Sequence, residues 1–192
     1  LPVLEQPRAQ IIHNSADAAA ANVDLFIDGG LALDSVMFRS ATGYLSLPHN
    51  FTLDIAPAGA GIGASVFNAP INLLPGENYV VIANGIVSAS GYNPAPAFGL
   101  DVFGAGREVA STAGNTDVLI YHGSTDAPTV DVNETSVPAG PLATGLSYND
   151  FSSDYLELAT ADYVVQVTDG ANVDLEYQAP LSNLGLTDSA IV

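Results

Sequence analysis

Cysteine and lysine are both absent from the 192 residues. Without cysteine there is no disulfide framework, zinc-thiolate site or thiol nucleophile, so stability must come from core burial and hydrogen bonding. Without lysine, the basic residues are only Arg8, Arg39 and Arg107, against 21 acidic residues and a formal charge of −18. A surface of that sign repels phosphate backbones and anionic headgroups, which excludes nucleic acid as a partner. It suits high salt, divalent cations or a mutually repelling extracellular polymer. Long apolar runs are missing too. The nearest, residues 79–92, is interrupted by Asn84 and two glycines. A bilayer-spanning helix needs about 20 apolar residues, so no membrane span is expected. The sequence opens at Leu1 with neither an initiator methionine nor a basic-then-apolar leader, as expected of a processed or cropped precursor. Abundant Gly, Ala, Thr and Asn without lysine point to a secreted or cell-surface protein.

What the sequence does contain is a duplication. "IIHNSADA" (11–18) returns as "IYHGSTDA" (120–127), with His13 and His122 set 109 positions apart. The match continues: "NVDLFID" (22–28) with "TVDVNET" (129–135), "GYLSLPHNFTLDIAPAG" (43–59) with "DYLELATADYVVQVTDG" (154–170), and "NAPINLLPGENYVV" (68–81) with "QAPLSNLGLTDSAIV" (178–192). Solenoid repeats run about 20 to 50 residues, so a period this long marks duplicated domains. The expected organisation is an N-terminal extension over 1–10, a first repeat over 11–110, a Ser/Gly/Thr/Asn linker over 111–116 and a second repeat over 117–192.

Inside each copy the apolar residues recur every second position. Val23, Leu25 and Ile27 share one face of "VDLFID", and Tyr163, Val165 and Val167 one face of "YVVQVTDG", the mark of half-buried strands. Gly/Pro/Asn/Asp turns punctuate these segments, as at "DGG" (28–30) and "LPGEN" (74–78). The alanine run 18–21 is too short for an independent helix. The fold class is therefore all-β: two tandem antiparallel β-sandwiches, Ig-like or transthyretin-like, each of about seven short strands.

The chain also has a family likeness. "HNSADA" and "HGSTDAP", "VDL" and "VDV", "YLSLPHNFTLDI" and "YLELATADYVVQV", and "APAFGLDVF" (95–103) together resemble the extracellular domain of unknown function numbered four-three-nine-seven. The resemblance covers nearly the whole chain. The first copy departs from the usual Ser-Pro-Asp-Ala-Pro form at Ala16 and Ala19. The resemblance implies tandem β-sandwich modules in secreted or surface proteins of bacteria and archaea, with no established activity.

The residues that invite a chemical reading are His13, Ser15 and Asp17, repeated as His122, Ser124 and Asp126. On a strand, residues two apart are about 6.6 to 7 Å from each other, whereas a nucleophile and its base must approach to about 2.6 to 3.2 Å. Triads draw their members from separate loops that converge. Ser and Asp after a strand more often bond nearby backbone N–H groups, with each histidine tying the turn to a neighbouring strand. This structural reading is preferred to a hydrolytic centre or a His/carboxylate metal site, because each domain needs its own folding device whereas a catalytic centre is usually needed once. On this reading, loss of Asp126 costs about 1 to 2 kcal/mol.

The remaining candidates are weaker. No catalytic residue is assigned, an enzyme is not expected, and no cofactor is required. Calcium is the one metal considered, with Asp24, Asp28 and Asp131 as its candidate ligands, although a solvated acidic face explains these acids as well. Tyr92, in the loop "SGYNPAP", is the best placed aromatic to stack on a sugar. The expected function is a non-enzymatic structural or adhesion module, a subunit of an extracellular assembly or filament, and the alternative is a glycan or small-ligand binding module.

The second repeat also has a shortfall. After "NYVV" the first repeat continues through residues 82–105, and the second has no equivalent of them, so it is expected to lack its last strands. Either polypeptide beyond Val192 completes it or a neighbouring copy donates a strand, with residues 1–10 as the candidate donor in a head-to-tail assembly.

Overall fold

The period-two segments are strands, and helix among the described residues is confined to two 3-10 turns, Ala18–Ala20 and Ile62–Ala64. The computed structural model describes residues 4–136, 140–170 and 172–192. Among them no helix is long and apolar enough to cross a membrane. The chain falls into two units, Leu1–Gly106 and Arg107–Val192.

The first unit contains β1 (Arg8–His13), β2 (Asn22–Ile27), β3 (Gly30–Met37), β4 (Ser40–Ala41), β5 (Leu45–Ser46), β6 (Asn50–Pro57), β7 (Phe67–Asn72), β8 (Asn78–Asn84) and β9 (Gly99–Phe103). One sheet runs β4, β1, β8, β9, with β5 also on β1, and the other runs β3, β2, β6, β7. Buried Val23, Leu25, Phe51, Leu53 and Ile55 of the second sheet pack with Ile11 and Leu100 of the first. The result is a sandwich-like pair of layers. Burying a side chain such as Ile55, which is 1% exposed, stabilises by about 1.5 to 3 kcal/mol.

The second unit repeats this plan with β10 (Asn115–Val118), β11 (Val130–Glu134), β12 (Gly140–Leu146), β13 (Leu156–Ala159), β14 (Asp162–Asp169), β15 (Asn172–Pro180) and β16 (Ala190–Ile191). Its sheets run β13, β10, β16 and β12, β11, β14, β15. Val130, Val132, Leu146, Tyr163 and Val165 form the core. No strand among the described residues of this unit takes the place that β9 holds beside β8.

Three expectations need correction. The sheets are not wholly antiparallel: β1 runs parallel to β8, and β10 to β16, because the whole of each repeat crosses over between those strands. Residues 8–10 are no free extension. They lie in β1, paired with β8 of the same unit, and Ala9 is fully buried, so in this fold they fill a place in their own sheet; residues 1–3 of that candidate donor lie outside the described residues. Finally, residues 111–116 are not a spacer. Asn115 and Thr116 already belong to β10, and Thr116 is fully buried with its hydroxyl bonded to the Leu186 carbonyl.

Candidate functional site

Where β1 ends at His13, the chain turns out of the sheet and closes on itself. The buried imidazole accepts the Ser15 N–H at Nδ1 (3.4 Å), which leaves the proton on Nε2, and Nε2 donates to the Ala20 carbonyl at 2.6 Å. Burial lowers the pKa of His13, opposed by the Ala20 and Ala83 carbonyls, so the ring is held neutral. The histidine thus braces its own loop, and the Ala83 carbonyl of the neighbouring strand β8 also acts on its ring.

Ser15 and Asp17 reach much further than an ST- or Asx-turn does. Ser15 Oγ donates at 2.6 Å to the carbonyl of Gly85, 70 residues away. Asp17 Oδ1 caps the 3-10 turn by accepting the Ala19 N–H and also takes the Ser88 hydroxyl; Oδ2 accepts the N–H groups of Val87 and Ser88. Burial pushes the Asp17 carboxyl up, but the donors from Ala19, Ser88 and Val87 together outweigh it and bring it down to about 2. Gly85 is required where it stands: its φ is +88°, and an added Cβ would lie 2.3 Å from the Ala97 carbonyl oxygen. The motif therefore fastens residues 85–88, the stretch leaving β8, to the start of the unit.

In the second unit the first half of this arrangement recurs. His122 Nδ1 accepts the Ser124 N–H and Nε2 donates to the Pro128 carbonyl, at 3.3 and 2.9 Å. The second half differs. Ser124 Oγ donates to Asp126 Oδ1 at 2.9 Å, and both residues are exposed. Asp126 was expected to bond backbone N–H groups; it holds the Ser124 hydroxyl instead. In both units the imidazole meets the serine's backbone N–H, with no contact to its hydroxyl among the described residues, so neither forms a nucleophile and base pair.

The candidate metal ligands all accept backbone N–H groups. Asp24 takes those of Ser35 and Gly59, which, with burial opposing, lower its pKa. Asp131, its repeat partner, takes that of Gly145. Ser35 and Gly145 have φ of 54° and 65° and lie where β3 and β12 bulge against β2 and β11, so this aspartate is a bulge clamp in both units. Asp28 forms the turn from β2 to β3 and accepts the Thr52 N–H. Among the described residues no group of three His, Cys, Asp or Glu side chains is placed to share a metal ion. Tyr92 is half-buried, its hydroxyl accepting the Ala18 N–H at 2.9 Å, and so is less free to stack on a sugar than its loop suggested.

Sequence reasoning missed one cluster. Arg107 pairs with the fully buried Asp117 at 2.7 Å, has Asp154 and Glu157 at 3.4 and 3.7 Å, and lies 5.1 Å from the centre of the Tyr155 ring. Burial raises the Asp117 carboxyl, and the Arg107 guanidinium and Ser111 donors overcome it, leaving the pKa lowered. The signal was available: only three arginines face 21 acids.

A family model described as a domain of unknown function, DUF4397, matches residues 7–133. No curated protein matches the chain.

Proposed function

We propose that this chain, which belongs to the family of domains of unknown function DUF4397, is a non-enzymatic structural or adhesion module of a secreted or cell-surface assembly. One observation carries the reading: the side chains with chemical potential are spent on closing the fold. His13 holds its loop, while Ser15 and Asp17 fasten a segment some 70 residues away. The charge of −18 without lysine fits a surface that stays dispersed in salt or among like polymers.

The test pairs stability with turnover. Wild type and Ser15→Ala are assayed on a panel of ester, peptide and glycoside substrates and melted in parallel. The expected outcome is no turnover by either protein and a lower melting temperature for the variant. Turnover lost on Ser15→Ala without a change in melting would overturn the reading, and glycan-array binding lost on Tyr92→Ala would replace it with the ligand-binding one.

A further inference from the structure

We propose that the first unit binds one free, unbranched alkyl chain of about ten to twelve carbons, carrying an uncharged head, in the gap between its two sheets. This adds a small-molecule ligand to the structural reading above and goes beyond it.

The gap is a cavity of about 290 Å³. Its walls are drawn from residues 11–102, all inside the first unit, and include every strand of both sheets except β4. Ile11, Ile27, Leu33, Val36, Leu47 and Ile71 line it and are only partly buried. Protein interiors pack as densely as organic crystals, with few voids larger than a water molecule. A void forfeits the dispersion contacts of its walls, and an occupant restores them.

The walls decide the chemistry of that occupant. Among the described residues lining the cavity, only His13 and Ser46 are polar. Both ring nitrogens of His13 are already engaged, by the Ser15 N–H and the Ala20 carbonyl. A polar ligand would therefore give up its water without compensation. An engineered apolar cavity of roughly 150 Å³ stays dry and takes up benzene. This one is about twice as large, with room for about ten to twelve carbons.

The shape selects a chain over a ring system. The walls reach from β3 and β5 at one edge to β7 and β9 at the other, three strand spacings or about 14 Å. Phe67 of β7 meets Phe98, just before β9, edge-on at 6.4 Å, which marks those two strands as one edge. Spread over that width, the volume corresponds to a cross-section of about 20 Å². One extended alkyl chain fits such a space, and fused rings do not. Val102 of β9 lines the cavity and is 53% exposed, so one end opens to water, where the head group remains. The charge of −18 disfavours an anionic head there.

Calorimetric titration of the 192-residue chain with straight-chain 1-alkanols, from hexanol to tetradecanol, provides the test. Each added methylene should tighten binding about fourfold, as burial of one CH₂ group predicts, until the gain stops at about ten to twelve carbons. Val81→Phe, which fills the cavity from β8, should abolish decanol binding without lowering the melting temperature, since filling a void does not destabilise a fold. Val102→Asp, at the exposed end, should remain folded and weaken decanol binding. Decanoate should bind more weakly than decanol, by a margin that narrows in salt. No saturable binding, affinity that keeps rising past about twelve carbons as simple partitioning would give, or binding indifferent to both variants would overturn the proposal. Sedimentation with phosphatidylcholine vesicles without binding of the free alkanols would also overturn it, assigning the cavity to a membrane lipid. Equal binding of decanoate and decanol would contradict the uncharged head. Each failure leaves the structural reading intact, since that reading fails only on turnover or glycan binding.

Discussion

The carboxylate of Asp17 accepts both the backbone N–H and the hydroxyl of Ser88, 71 residues further along the chain. Asp126, its repeat partner, binds a serine two residues away at the surface. One motif therefore does two different amounts of structural work.

Acid should expose the first unit's dependence on these groups. The Asp17 pKa is depressed from 3.8 to about 2, so its contribution is complete above about pH 4 and is lost as the pH falls towards 2, amounting to about 2 kcal/mol. His13 is also depressed, from 6.5, so its contribution is complete above pH 6.5 and declines below it. Unfolding followed by Tyr fluorescence should show stability falling in both ranges, and Asp17→Asn should flatten the lower one.

Arg107→Ala leaves the fully buried Asp117 without its cation, which costs about 3 to 5 kcal/mol. The loss should depend only weakly on salt, since Asp117 is fully buried although the Arg107 side chain is 27% exposed. A pronounced weakening of the wild-type protein in 0.5 M salt would instead place that pair at the surface.

Asp24→Ala strands the Ser35 and Gly59 N–H groups and should cost about 1 to 3 kcal/mol. Asp131→Ala removes one more exposed bond, to Gly145, and should cost less than 1 kcal/mol. Chelators should shift the melting temperature of neither the wild type nor these variants; a chelator-sensitive wild type would restore calcium to these carboxylates.

Much of the fold was legible because alternation survives duplication. Val23, Leu25, Tyr163 and Val165 are all buried, as their period of two required. Register was less legible. The ungapped match of 43–59 with 154–170 places Ile55 against Gln166, whereas pairing with the equivalent Leu25 and Val132 places Ile55 against Val167. That slip of one residue before β14 exchanges the two faces, and the mismatch of Ile55 with Gln166 beside the alternating Tyr163, Val165 and Val167 was its signal. The parallel pairing of β1 with β8 was hidden, since alternation does not distinguish strand direction. At the motif, the sequence showed which residues recur but not how far they reach. Local bonding was the reasonable expectation for Ser and Asp beside a turn, and it is the loop after β8 that brings Gly85, Val87 and Ser88 to them.

Hydrogen exchange on Asp17→Asn and Asp126→Asn, with melting of both, is the most direct test of the motif as a long-range clamp. Asp17→Asn should speed exchange at Val87 and Ser88 by at least about tenfold and lower stability by about 2 kcal/mol. Asp126→Asn, contrary to the cost of 1 to 2 kcal/mol expected from its sequence context, should change stability by less than about 0.5 kcal/mol. Equal losses from the two variants, or unchanged exchange at Val87 and Ser88 in Asp17→Asn, would contradict it.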